Sequence, residues 1–168
     1  MENANSLSIN LDKKSNDGLT AFHIACVKGH SGVIKACLDN AANVRSIDLN
    51  MKNRDGMTGF HIACQKGHTN VIKIFLENSA NLSIDLSTKD NDGYTAFLAA
   101  CRRGRSDVVK IFMEYAYTMC IDLNTKTKSD YTAFQLACVD GHYDVVKILM
   151  LNAATFYQFS NYKWLIQF

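Results

Sequence analysis

The sequence contains no proline. Its helices must therefore be stopped by glycine and polar residues. Charge of one sign is also lacking: the formal net charge is +2. That balance gives no drive toward nucleic acid, so no nucleic-acid partner is expected. No apolar run reaches the roughly 18–20 residues of a membrane helix, so no membrane insertion is expected. The first residues, MENANSLSINLDKK, lack a basic stretch leading into an apolar core, so no signal peptide is visible. A cytoplasmic or nuclear setting is expected, with the six cysteines reduced. No P-loop, Gly-x-Ser-x-Gly or dinucleotide fingerprint occurs. The expectation is a chain that is not an enzyme and carries no cofactor.

What is present is a repeat. The 168 residues are 48% hydrophobic, enough for a proper core. Thr-x-Phe triplets begin at Thr20, Thr58, Thr95 and Thr132. Ala-Cys pairs end at Cys26, Cys64, Cys101 and Cys138. Asp-Gly pairs stand at Asp17–Gly18, Asp55–Gly56 and Asp92–Gly93, and Ser129–Asp130 continues them. Four copies of one unit fill most of the chain.

Within each copy the signals are ordered. The threonines read as N-caps of a first helix. Gly29, Gly67, Gly104 and Gly141 read as its stop. A second helix follows, with Ser31, Thr69 and Ser106 as expected caps. Its apolar stripe is Val33, Ile34, Cys37 and Leu38 in the first copy, and Val71, Ile72, Phe75 and Leu76 in the second. One helix pair cannot bury such a stripe alone, so neighbouring copies must stack. Between pairs, Ile47–Asp48–Leu49, Ile84–Asp85–Leu86 and Ile121–Asp122–Leu123 alternate apolar and polar, and Asp-Gly follows. This predicts an extended β-hairpin finger. Ile9–Asn10–Leu11 repeats the pattern, so the chain starts inside a finger.

These units resemble the ankyrin repeat, whose motif stands here as TAFHIACVKGH at 20–30 and TGFHIACQKGH at 58–68. The resemblance covers roughly residues 8–153. It implies an all-α solenoid of stacked helix-turn-helix pairs joined by β-hairpin fingers. The expected division is a partial hairpin over 1–14, repeats over 15–52, 53–89, 90–126 and 127–154, and a tail over 155–168. Ala or Gly replaces the family proline at 21, 59, 96 and 133. The third copy has Leu98 and Arg105 in place of the motif histidines, and the fourth has Gln135 and Asp130. The fourth copy is the most degenerate.

The spacing His61-x2-Cys64-x3-His68, also seen from His23 to His30, invites a metal reading. Against it, the cysteine column persists in the third copy while both histidines vanish. Metal ligands appear and disappear together, since zinc needs about four. The cysteines read as small core residues instead, and no metal is expected. Under the resemblance, the motif histidine bonds backbone between repeats.

With no chemistry in view, function falls to surfaces. The resemblance implies a concave face, formed by fingers and first helices, that binds proteins. Mapped onto this sequence, that face carries Leu19, Met57, Tyr94 and Tyr131, one before each threonine. It also carries the basic residues Lys28, Lys66, Arg102, Arg103 and Arg105 at the first-helix ends. Packing between fingers is the competing explanation for the first set, and helix-dipole compensation for the second. The expected partner is a protein offering an extended acidic segment with aromatic or aliphatic anchors. The expected state is a monomeric adaptor or scaffold. The alternative is a targeting or regulatory part of a larger kinase, ubiquitin ligase or ion channel. Lys35, Lys73, Lys110 and Lys147 form a further column, read as a solvated face.

After Ala154 the pattern stops, and six aromatics occupy the last thirteen residues. Three readings stand: a lid over the fourth copy, a docking segment, or the point where further repeats would follow.

Overall fold

Each first helix begins where a threonine hydroxyl supplies a missing backbone partner. Oγ1 of Thr20, Thr58, Thr95 and Thr132 accepts the N–H three residues on, at 3.3–3.4 Å. In three of the four, the side chain at that third position returns a bond to the threonine N–H. These are His23, His61 and Gln135, each completing a capping box. Leu98 has nothing to return, so the third copy keeps only the hydroxyl.

The computed structural model describes residues 10–41, 47–116 and 118–162, with side chains to residue 153. Ile9 of the first expected finger and residues 163–168 of the tail lie outside them. Eight helices are described. They are α1 (Ala21–Lys28), α2 (Ser31–Ala41), α3 (Gly59–Lys66), α4 (Thr69–Leu82), α5 (Ala96–Arg102), α6 (Ser106–Tyr115), α7 (Ala133–Val139) and α8 (Tyr143–Tyr162). None is long and apolar enough to cross a membrane.

Glycine caps two of the four first helices; α5 and α7 are capped by Arg103 and Asp140, with left-handed Gly104 and Gly141 next in the chain. Gly29 and Gly67 are left-handed caps, with φ of 70° and 85°. The position also has no room for a side chain: a Cβ on Gly29 would sit 2.6 Å from the His68 ring. The second-helix caps differ from expectation. Thr69 and Ser106 are the first helical residues, and the caps are His68 and Arg105. The carbonyls of His30, His68, Arg105 and His142 accept the first i→i−4 bonds, which moves the boundary back one residue.

Helices pack like with like. First helices α1, α3, α5 and α7 stack in one layer, and second helices α2, α4, α6 and α8 in the other. A run of phenylalanines ties the layers together. Phe75 meets Phe22 of the previous repeat at 5.8 Å and Phe60 of its own at 5.4 Å. Phe112 meets Phe60 at 6.0 Å and Phe97 at 5.3 Å. Such tilted and edge-on pairs each add about 0.5–1.5 kcal/mol beyond burial.

The fingers are built from turns, and no strand occurs among the described residues. Each tip is closed by two backbone bonds, as from Asn53 N–H to Met57 O at 2.9 Å and from Gly56 N–H to Asn53 O at 3.1 Å. Short polar side chains then take over. Asp48 and Asp85 bond the N–H two residues on, bending the Ile-Asp-Leu stretch before a ladder can form.

α8 runs for 20 residues, through the place where a finger would begin. No glycine or proline occurs after Gly141. Nothing there supplies the usual stop.

Candidate partner-binding surface

The histidine-cysteine clusters come apart in three dimensions. His61 Nε2 reaches forward to the Tyr94 carbonyl at 3.1 Å. His68 Nε2 reaches back to the Val27 carbonyl at 3.0 Å. The two rings of one apparent metal triad thus serve opposite neighbours. A carbonyl only accepts, so Nε2 of His61 carries the proton and Nδ1 accepts from the Thr58 N–H. His23 repeats this with Met51 O and the Thr20 N–H. Both rings are buried, and that burial lowers their pKa below the usual histidine value. Cys64 lies buried between the two histidines in sequence, and its thiol is pushed well up by desolvation.

The second histidine column is a backbone bridge that arginine can also make. His142 Nε2 bonds Arg102 O at 2.8 Å, and Arg105 Nε donates to Gln65 O at 3.0 Å. The third copy therefore keeps this bond although it lost the histidine. Arg105 was expected on the binding face; one of its nitrogens is spent on this bridge.

The cysteine column needs one correction. Cys26, Cys64 and Cys101 are fully buried, but Cys138 is exposed. The thiol faces the next repeat, as Gly59 shows: a Cβ there would meet Cys26 Sγ at 2.9 Å. Among the described residues, no repeat covers the fourth copy on that side.

The expected binding residues fall on two adjoining edges. Leu19, Met57 and Tyr94 are half-buried and pack against the core, while Tyr131 is exposed. Each closes the tip turn of a finger. Its N–H donates to a side-chain oxygen four residues earlier: Ser15, Asn53, Asp90 or Thr127. Packing and display are thus both served by the same column. Tyr94 and Arg102 come into direct contact. The Arg102 guanidinium lies 5.1 Å from the Tyr94 ring centroid and donates from Nη1 to its hydroxyl at 2.8 Å. This joins a finger to a helix end and holds both side chains in place.

Lys28, Lys66 and Arg103 are exposed at the ends of their helices. The ion pairs among the described residues are Lys110–Asp107 and Lys126–Asp130, both elsewhere. Among the described residues, none of the three cations is paired with a carboxylate. In the fourth copy the matching position is the exposed Asp140, so the basic column spans three repeats.

Another lysine column was not anticipated. Lys14, Lys52 and Lys89 each donate from Nζ to the backbone carbonyl of the matching lysine in the next repeat, at 2.9 Å. The acceptors are Lys52, Lys89 and Lys126, so the fingers are laced in series. Their common spacing was visible, but side-chain-to-backbone bonds leave no partner residue in the sequence to point to.

A family model described as ankyrin repeats matches the chain in three copies, at residues 2–85, 44–115 and 81–159. No curated protein matches it.

Proposed function

The chain belongs to the ankyrin-repeat family, and we propose that it is a non-catalytic adaptor that binds a partner protein through the face made by its fingers and first-helix ends. Ankyrin repeats are generally protein–protein interaction modules. The observation that carries the choice of face is the Tyr94–Arg102 contact beside cations without ion partners, Lys28, Lys66 and Arg103. Preorganised aromatic and arginine side chains are the usual anchors of interfaces. Cations left uncompensated attract negative charge and speed encounter. The partner segment is therefore extended and acidic, with aromatic or aliphatic anchors for the Met57–Tyr94–Tyr131 edge.

A library of extended peptides rich in Asp and Glu, with Phe or Leu anchors, tests this. Binders selected on the wild type are remeasured against Tyr94→Ala and Arg103→Glu. Each substitution should weaken binding by about ten-fold or more. Unchanged affinity in both variants removes this face from the account.

A further inference from the structure

The packing between repeats uses recurring columns, and the two outer faces of the described stack still display them. On the forward side, Phe22, Phe60 and Phe97 are buried, but Phe134 in their column is 44% exposed. Leu38 and Leu76 are buried and Met113 is half-buried, but Met150 is 58% exposed. On the backward side, Val71, Val108 and Val145 are buried, but Val33 is 51% exposed. Ile62, Ala99 and Leu136 are buried, but Ile24 is 46% exposed. A solenoid needs polar outer faces to stay apart from its neighbours. These faces keep the interior pattern.

The two faces are also complementary, not merely apolar. Inside the chain, the forward Phe-Cys set of one repeat receives the backward set of the next, as Phe22 and Cys26 receive Gly59. The polar stitching matches as well. His68 and His142 each donate back to a carbonyl at the end of the previous first helix. His30 occupies the same column and is exposed, and among the described residues it meets no carbonyl of a preceding repeat.

We propose that two copies of this chain stack end to end, the forward face of repeat four in one copy against the backward face of repeat one in the other. The contact continues the interface already used three times within the chain. It is heterologous, so an open stack of any length keeps one free face at each end for further copies. This goes beyond the adaptor reading and uses a different surface. It also departs from the monomer expected from sequence.

Sedimentation velocity on the full chain, from about 1 µM to about 200 µM, tests it. The expected result is a sedimentation coefficient that rises with concentration through dimer and higher species. Phe134→Asp and Val33→Asp each block one face at an exposed position, and circular dichroism checks that helix content is kept. Each variant alone should be monomeric across the range. An equimolar mixture should form a dimer and stop there, because one intact forward face meets one intact backward face. Three results overturn the proposal. One is a wild type that stays monomeric throughout. Another is a wild type that associates only after residues 155–168 are deleted, which would make the tail the occupant. The third is a dimer that survives in either single variant, which would mean a symmetric contact elsewhere.

Discussion

Phe60 and Phe134 occupy the same column of the repeat, and replacing each by alanine isolates what a neighbouring repeat contributes. Phe60 is 1% exposed and meets Phe75 and Phe112 at 5.4 and 6.0 Å. Truncating a buried phenylalanine costs about 3–5 kcal/mol. Its two ring contacts account for about 1–3 kcal/mol of that. Phe134 has no ring contact among the described residues and keeps nearly half its surface in water. Full burial of such a side chain is worth about 1.5–3 kcal/mol, so Phe134→Ala should cost about 1 kcal/mol. The gap between the variants is then about 2–4 kcal/mol. Urea unfolding at about 1 µM protein measures it while keeping outer faces uncovered. With a slope of about 2 kcal/mol per M, Phe60→Ala lowers the midpoint by about 2 M and Phe134→Ala by about 0.5 M. Equal losses would refute the reasoning, because they would mean that the fourth repeat is covered as fully as the second.

Two further outcomes follow from the caps and turns. His23 and His61 accept at Nδ1 and donate at Nε2, so a second proton would face the threonine N–H donor. Their folded pKa lies below the unfolded value of about 6.5. The unfolded chain therefore binds protons more readily. Their contribution is complete above pH of about 6.5 and is lost as pH falls below it. The melting temperature should be lower at pH 5 than at pH 7.5, and His61→Leu should shrink that difference; a flat profile in the wild type would contradict the cap chemistry. Asp130 holds φ of 63°, in the column where Gly18, Gly56 and Gly93 hold 75°, 78° and 84°. Left-handed backbone costs an ordinary L-residue about 1–2 kcal/mol, less for Asp, and the exposed pair with Lys126 returns little. Asp130→Gly should stabilise by about 0.5 kcal/mol in urea unfolding, and a loss of that size would count against the strain.

The fold was legible because its main signals are local and recur. Thr20 and its counterparts cap the next three residues, and Gly29 and Gly67 close helices by their own dihedral preference. The stacking was read from the apolar stripes that one helix pair cannot cover, and the all-α solenoid from the resemblance to the ankyrin repeat. What escaped the sequence depends on partners in another repeat. Arg105 replaces a histidine yet keeps its bridge to Gln65 O, because any well-placed N–H suffices. The lysines at 14, 52 and 89 bond carbonyls, which every residue has. The finger alternation suggested strands, but Asp48 and Asp85 satisfy nearby N–H groups locally and bend the chain first. The cap of α4 fell one residue early because the His68 carbonyl takes the first helical bond. Cys138 kept the column's chemistry but not its burial, since burial is given by the neighbour and not by the residue. Of the binding face, residue positions were legible. The Tyr94–Arg102 contact was not, since it joins a finger to a helix end eight residues on.

The central claim is that one unit, repeated four times, derives its burial from the unit beside it. Thiol labelling of the native chain at about 0.1 µM, read by mass spectrometry, tests this most directly. Cys26, Cys64 and Cys101 are buried, and desolvation raises their pKa, that of Cys101 to about 12. These three should stay unlabelled until the protein is unfolded, while Cys120 and Cys138 label at once. Protection of Cys138 equal to that of Cys101 would contradict the account.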